Sequence, residues 1–505
     1  MGSIVDMHGR PFAQASSSGG FGPLYEGAST ADRIGTWGLS PAGPNVGQNG
    51  IIAIKKRSRQ SERNNPTANG AIDAFVSNLV GTAISPAWQI DNLLQKEELE
   101  SLWQDSQKQL DYVGFTDFYG QLELICRSMV RDGEGLAVIH ELQPSLDNIV
   151  PIQIQPLESD HLDPNFNDIS PEGNEIRFAI EWKAGKRYRY WLYDNHPGEV
   201  FLCADNIRRI PVPAADVLHV FRLKRAGQCR GSGWLGSVIT KLHDIDVYDD
   251  AELVRKKAAA LWGGFIYQDN QVASTSSNPF GGTPGARSNG VQSIELKAGH
   301  FPVLRDGMKI AFSESADVGN NYKEFMKTQF RLIARGIGIT YEQLTGDLEG
   351  VTYSSIRSGL IEFRRLCETI IARTLVFQYC RPIVDRWIRA AILNGCLKTI
   401  TPGEYLANPR LFHRVDWHPH GWDFTDPVKD RVAELMDIRS GIKSRRQVVA
   451  KRNGSVEVVD RENREDLQRA VDNGLVYDCY PGQTTGSGAI QKVSEQVILQ
   501  SLETK

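Results

Sequence analysis

The sequence predicts an α+β chain, mostly helical, with its strands gathered in one block. Three observations carry this. Period-2 alternation is concentrated between about residues 136 and 221. Helical spacing of apolar residues dominates on both sides of that block. The strand candidates follow one another through short turns such as Ala184-Gly185, so the block reads as hairpins and not as a βαβ series.

In chain order, residues 1–50 are rich in Gly, Ser, Ala and Pro. They carry too little apolar surface to offset chain entropy and read as a flexible arm. Lys55, Lys56, Arg57, Arg59 and Arg63 then form a basic run before Asn64-Asn65-Pro66. That run reads as a solvated helix face, with phosphate or an acidic partner as the other reading. Ile72, Phe75, Val76 and Leu79 step at helical spacing up to Gly81. Further helices are expected at about 96–110 and 115–129. Strands are expected at 136–140, 149–155, 176–182, 187–193 and 217–221.

Arg230-Gly231-Ser232-Gly233 breaks the pattern, and a helix of about 234–262 follows. Short strands are expected at 265–267, 294–296, 301–304 and 308–312 around a Ser/Gly-rich stretch, 274–290. A helix at 322–335 leads into a polar loop, 339–352. From Tyr353 a very long apolar stripe runs through Leu360, Phe363, Cys367, Ile370 and Phe377. Pro382 should kink that helix near 376–379, because proline lacks the backbone donor and clashes with the preceding turn. Helices are expected after Asp426-Pro427, at 444–453, at 461–472 and at 490–502.

Composition narrows the function. The 505 residues contain 57 Lys+Arg against 61 Asp+Glu, a net charge of −4. This excludes a broadly basic nucleic-acid binder, though not a protein that handles DNA without gripping it. No stretch reaches the roughly 20 apolar residues that span a bilayer, and residues 1–10 do not resemble a secretory signal. The seven cysteines are odd in number and form no CxxC pair, so reduced thiols are expected.

Catalytic constellations are sparse in the sequence. His413, Asp416, His418, His420 and Asp423 have metal-ligand chemistry, and a metal-dependent hydrolase or nuclease is the alternative reading. Pro419 and Gly421 suggest a loop there, with a structural role favoured. Gly231-Ser232-Gly233 lacks the phosphate-loop pattern, and no GxSxG elbow occurs. No cofactor and no metal are expected.

Five motifs in one order carry a family signal: Arg63-Asn64-Asn65-Pro66 with Val80-Gly81; Val217-Leu218-His219-Val220-Phe221 followed by Gly227-Gln228 and Arg230-Gly231; Asn320-Asn321-Tyr322 with Phe325; Gly338 to Leu344 with Tyr353-Ser354-Ser355 and Arg357; and Asp426-Pro427 with Lys429-Asp430. Over residues 50–470 the chain resembles the lambda-type portal proteins of tailed phages.

The resemblance implies a ring, usually of twelve subunits, at one capsid vertex, through which double-stranded DNA enters and leaves. It implies a flexible arm (1–50), a wing (51–230 and 356–425), two stem helices (231–262 and 319–338), a clip (263–318), a tunnel loop (339–355) and a helical crown with the C-terminal tail (426–505). Tyr341, Glu342, Gln343, Thr345, Asp347, Glu349, Thr352 and Tyr353 would face the channel. Arg331, Arg335 and Arg357 would touch phosphate or a neighbouring subunit. The implied partners are other copies of the chain, DNA, the terminase large subunit, the head-completion connector protein, the major capsid protein and the scaffold, with no membrane. The implied location is the virion, after assembly in the host cytoplasm, and the implied role is not enzymatic.

Overall fold

The computed structural model describes residues 43–45, 50–145, 148–199, 208–261, 265–268, 308–311, 321–422, 427–452 and 454–475. The strands expected at 294–296 and 301–304, the loop 274–290, the helix at 490–502 and Asp423 lie outside these residues.

The chain opens with α1 (Ile51–Asn64) and α2 (Pro66–Leu79). Asn65 separates them: its side chain accepts from the Ala68 N–H, and Pro66 starts α2 where no backbone donor is needed. Then come β1 (Ile84–Trp88), α3 (Leu93–Ser106) and α4 (Phe118–Arg131). The strand block follows: β2 (Glu134–Glu141), β3 (Ile152–Leu157), β4 (Asp168–Ile169), β5 (Glu175–Arg177), β6 (Ile180–Lys183), β7 (Lys186–Tyr193), β8 (Arg209–Pro213) and β9 (Val217–Phe221). One sheet has the order β3-β2-β9 and the other β4-β5-β6-β7-β8. The single strand expected at 176–182 is two strands, because Phe178 and Ala179 turn the chain at φ 53° and 63°.

α5 (Ile239–Leu261) and α6 (Asn321–Ile337) flank β10 (Phe265–Gln268) and β11 (Met308–Ala311), which pair antiparallel. α7 (Tyr341–Thr345) is a short helix inside the segment expected to be wholly loop. α8 (Tyr353–Ile370) passes into a π-helical stretch, Ile371–Cys380, and then α9 (Arg381–Leu393). The break expected near 376–379 falls within this π stretch. The Arg381 N–H reaches back five residues to the Val376 carbonyl, and Pro382 begins the next helix.

α10 (Pro402–Ala407), α11 (Pro409–Phe412), β12 (Val415–Pro419), α12 (Pro427–Arg439), α13 (Arg445–Ala450) and α14 (Val456–Asp472) complete the described chain. β12 pairs with β1, joining residues more than three hundred positions apart.

The main core gathers α2, α4, β2, β3, the π stretch and α9. Trp88, Trp103 and Trp387 meet at its centre with ring centroids 5.2–6.4 Å apart. The Trp387 indole N–H donates to the Ser106 hydroxyl at 2.9 Å, which satisfies its one polar atom. A smaller core lies on one face of the five-stranded sheet.

The π stretch also closes a sheet edge. The Gln378 amide donates to the Phe221 carbonyl at 3.1 Å and accepts from the Phe221 N–H at 2.8 Å. A side chain thus replaces the missing strand beside β9. Gln378→Ala leaves both backbone groups without partners and is expected to cost about 1–3 kcal/mol, read from the urea-unfolding midpoint. An unchanged midpoint would show that water replaces the amide.

The basic run is only partly a solvated face. Lys56, Arg57 and Arg63 are exposed, but Lys55 is buried and Arg59 points inward. Arg59 binds Asp132 through two bonds of 3.0 and 2.7 Å and reaches Asp160 and Glu158. Arg131 pairs with the same Asp132 and with Glu62 and Glu158. These cations neutralise internal acids. Burial pushes the Lys55 ammonium pKa down, against the pull of Glu134 and Asp160.

Candidate functional site

The residues implicated by sequence lie along α6, the segment to Thr352, and the start of α8. α5 and α6 pack antiparallel. Ser237 near the start of α5 meets Gly336 at the end of α6, while Tyr248 stacks on Tyr322 at 6.1 Å near the start of α6. The Tyr322 hydroxyl donates to Asp249, which raises the phenol pKa to about 12.

Gly338 takes φ +101°, a left-handed value that ends α6 and turns the chain towards α7. Thr340 then caps α7. Its hydroxyl accepts from the Gln343 N–H at 3.2 Å while the Gln343 side chain accepts from the Thr340 N–H at 3.1 Å. Leu344 is buried in the main core, so α7 is anchored. Gly346, at φ +69°, ends it.

The Tyr341 hydroxyl donates to Asp347 at 2.9 Å, and Asp347 also accepts from the Glu349 N–H at 2.9 Å. These bonds hold the Asp347 pKa below the usual carboxylate range, the Glu349 N–H contributing most. Thr345 donates to the Tyr341 carbonyl, and Thr352 caps α8 through the Ser355 N–H. Glu349 pairs with Lys323 at the surface. Glu342 lies in the first turn of α7, half-exposed, and Tyr353 opens α8. The exposed part is therefore the tip from Gly346 to Gly350, with Leu348 62% exposed.

The three arginines separate. Arg331 lies over the Tyr341 ring at 5.7 Å, with Lys327 at 5.9 Å. Arg335 stands exposed in the last turn of α6. Arg357 binds Asp430 at 2.8 Å, tying α8 to α12.

The histidine cluster does not assemble. Val415–Pro419 is strand β12, not a loop. His413 uses both ring nitrogens on Asp385 at 2.7 Å and Tyr405 at 3.0 Å. His420 instead packs beneath Gly81 and against Trp422. Burial lowers the pKa of both His418 and His420. Among the described residues, the acids and imidazoles that do converge are Glu158, Asp160 and His196, and their carboxylates already hold the Arg59 guanidinium.

One cluster was not singled out from sequence. Arg230 and Glu134 are fully buried. The Arg230 Nε donates to Glu134 at 2.9 and 3.1 Å, and its Nη atoms reach Glu134 and the Leu162 and Phe178 carbonyls. Glu134 also accepts from the Gly231 N–H at 3.1 Å and lies 3.0 Å from His219 Nε2. The signal was present as the Gly227-Gln228, Arg230-Gly231 motif, but its glutamate partner lies 96 residues earlier.

Several of the described charges thus pair with one another inside the chain. The chain belongs to the lambda family of phage portal proteins: that family's profile matches residues 30–370, more than half of the chain. The match opens inside the Gly/Ser/Pro-rich arm, earlier than the motifs read from sequence. The chain is 27% identical over 431 residues to the probable portal protein of Halomonas phage phiHAP-1, covering 82% of this chain and 80% of that one. It is 21% identical over 309 residues to portal protein B of Escherichia phage lambda, covering 57% of each, and 22% identical over 286 residues to the portal protein of Escherichia phage N15, covering 52% of each. Among solved structures it is similar to a chain in the neck of a native GTA particle computed with C12 symmetry, at 12% identity and a TM-score of 0.47, covering 80% of this chain and 93% of that one.

Proposed function

We propose that copies of this chain, twelve in the assembled state, close into a ring at one vertex of a phage capsid and form the conduit for double-stranded DNA during packaging and ejection. Family membership over residues 30–370 carries this reading. In it, α5 and α6 are the stem, the segment closed by the β10–β11 pair is the clip, and the Gly346–Gly350 tip faces the channel. Residues 51–230 with 356–425 are the wing, and the helices from α12 onward are the crown. The clip meets the terminase large subunit during packaging and the connector protein afterwards. The outer surface meets the major capsid protein and scaffold as the particle assembles in the host cytoplasm. The role is mechanical, not enzymatic.

The helix surfaces support this. Val247, Leu253 and Val254 on α5, and Phe325 and Leu332 on α6, are exposed. Apolar side chains so placed on a helix pair suit cover by a neighbouring copy, and head-to-tail contacts repeated by rotation close a ring. Light scattering on the purified chain tests the assembly. Twelve copies of 56.2 kDa give about 0.67 MDa. A mass of one subunit across concentrations and salts would overturn the reading.

A further inference from the structure

We propose that the turn Tyr112–Phe115 of one copy inserts into the cavity beside β9 and the π stretch of the next copy, so that successive chains join head to tail through opposite edges of their three-stranded sheets. The contact deepens the ring reading and rests on it for closure, since the same contact without closure gives a filament.

The projection is built to stay in place. Tyr112, Val113 and Phe115 are 48%, 59% and 92% exposed. Asp111, buried beside them, accepts from the Val113, Phe115 and Thr116 N–H groups at 3.3, 2.7 and 3.1 Å and from the Gln121 amide at 2.8 Å. Gln121 also donates to the Ile154 carbonyl at 2.9 Å. Gly114 takes φ +80°, which glycine adopts without strain. The Tyr112 ring lies 4.8 Å from that of His140. An aromatic side chain on a backbone already fixed loses little further freedom on binding, which is what an interface anchor needs.

The receiving surface is a half-open cavity of about 840 Å³, with Phe377, Leu223 and Trp182 among its lining residues. Phe377 and Leu223 are 62% and 59% exposed. The volume falls inside the roughly 300–1,000 Å³ of cavities that enclose small ligands, room enough for a phenyl ring and its neighbour. Large apolar side chains exposed together at one cavity mark a surface that a partner covers.

Topology decides which partner. The Ile154 N–H donates to the Leu110 carbonyl at 2.7 Å, and the Tyr112 N–H donates to the Ile154 carbonyl at 3.0 Å. The projection therefore continues the sheet beyond β3. At the other edge, beyond β9, Gln378 takes up the Phe221 backbone groups, and both residues line the cavity. With the strand order β3-β2-β9, projection and cavity are about 20 Å apart at roughly 4.8 Å per strand. Three strands keep them from meeting within one chain. The projection of one copy and the cavity of the next are free to meet, and a contact between two different patches is the heterologous kind that rotation closes into a ring.

Photo-cross-linking tests it. A benzophenone amino acid replaces Phe115 in the full-length protein, and a second variant carries it at Phe377. Isotope-labelled and unlabelled chains are mixed before assembly and irradiated. Mass spectrometry is expected to find the Phe115 probe linked to a peptide containing residue 223 or 377, the Phe377 probe linked to a peptide containing residues 112–115, and labelled joined to unlabelled chain in both. V113S with F115S is expected to lower the ring fraction in light scattering by about tenfold or more, with the melting midpoint of the subunit unchanged because both side chains are exposed. Links within one chain, links to another surface, no link from either position, or an unchanged ring fraction would overturn the contact while leaving the ring itself standing. A wild-type chain that stays a single subunit at every concentration would overturn both.

Discussion

Arg230→Ala is expected to destabilise the subunit by about 3–5 kcal/mol, the range for removing one partner of a buried ion pair. The substitution strands the Glu134 carboxylate with only His219 and the Gly231 N–H. It also removes the donors to the Leu162 and Phe178 carbonyls. Phe178 belongs to a turn in which two non-glycine residues hold positive φ, so that turn loses a tether where it is strained. Lysine is not expected to rescue, because one ammonium cannot span the three acceptors that the planar guanidinium reaches. Urea unfolding of the purified variant reads the effect, and a loss below about 1 kcal/mol would contradict it.

The same cluster sets a pH dependence. Burial alone would raise the Glu134 pKa, but the Arg230 charge and bonds outweigh it and hold the carboxyl well below its usual range. Burial lowers the His219 pKa, only partly offset by Glu134. Both groups therefore bind protons more readily when unfolded. Their contribution is whole above the ordinary histidine value of 6.5. It declines as pH falls, first through His219 and then, below the ordinary glutamate value of 4.5, through Glu134. Urea midpoints are expected to fall from pH 7.5 to 5.5 and more steeply towards pH 4.

The second large effect is functional. Glu342→Lys combined with Glu349→Lys is expected to cut DNA-filled particles at least tenfold while leaving assembly and thermal stability close to normal. The Glu349–Lys323 pair is exposed, so its loss costs little. Asp347 is left in place because it accepts the Tyr341 and Glu349 hydrogen bonds that shape the tip. Twelve copies at −4 carry −48, and the double reversal adds four positive charges per copy, cancelling it. Each new phosphate contact releases counterions and tightens a grip that has to stay weak for DNA to slide. Added salt should partly restore packaging. An unchanged filled fraction would place these residues away from the DNA path.

What could be read from sequence divides along physical lines. Helices with a clean stripe and a stop signal, such as α2, α4 and α6, fall within a few residues of expectation. β9 coincides with its expected limits. Four strands escaped notice: β4 is only two residues long, and β1, β8 and β12 each contain proline, Pro86, Pro211 with Pro213, and Pro419. Proline normally argues against a strand. It is tolerated here because β1 and β12 make a two-stranded ladder and β8 is a sheet edge, so the missing donors interrupt no inner pairing.

The basic run misled for a different reason. Helical spacing shows which residues share a face, but not that Asp132, Glu158 and Asp160 wait opposite Arg59. Long-range ion pairs leave no local period. The same limit hid Glu134 behind Arg230, although the motif around Arg230 stood out. The histidine cluster, for which a structural role was favoured, is dispersed by separate partners: His413, ahead of β12, is held by Asp385 and Tyr405, while His420 packs against Trp422.

The proposed assembly is a ring with an open axis. Negative-stain images of the purified full-length chain, viewed along its symmetry axis, test it most directly. Annular particles with a stain-filled central hole and rotational symmetry are expected, at the mass of about twelve subunits. Compact particles without a hole, or single subunits at every concentration, would contradict it.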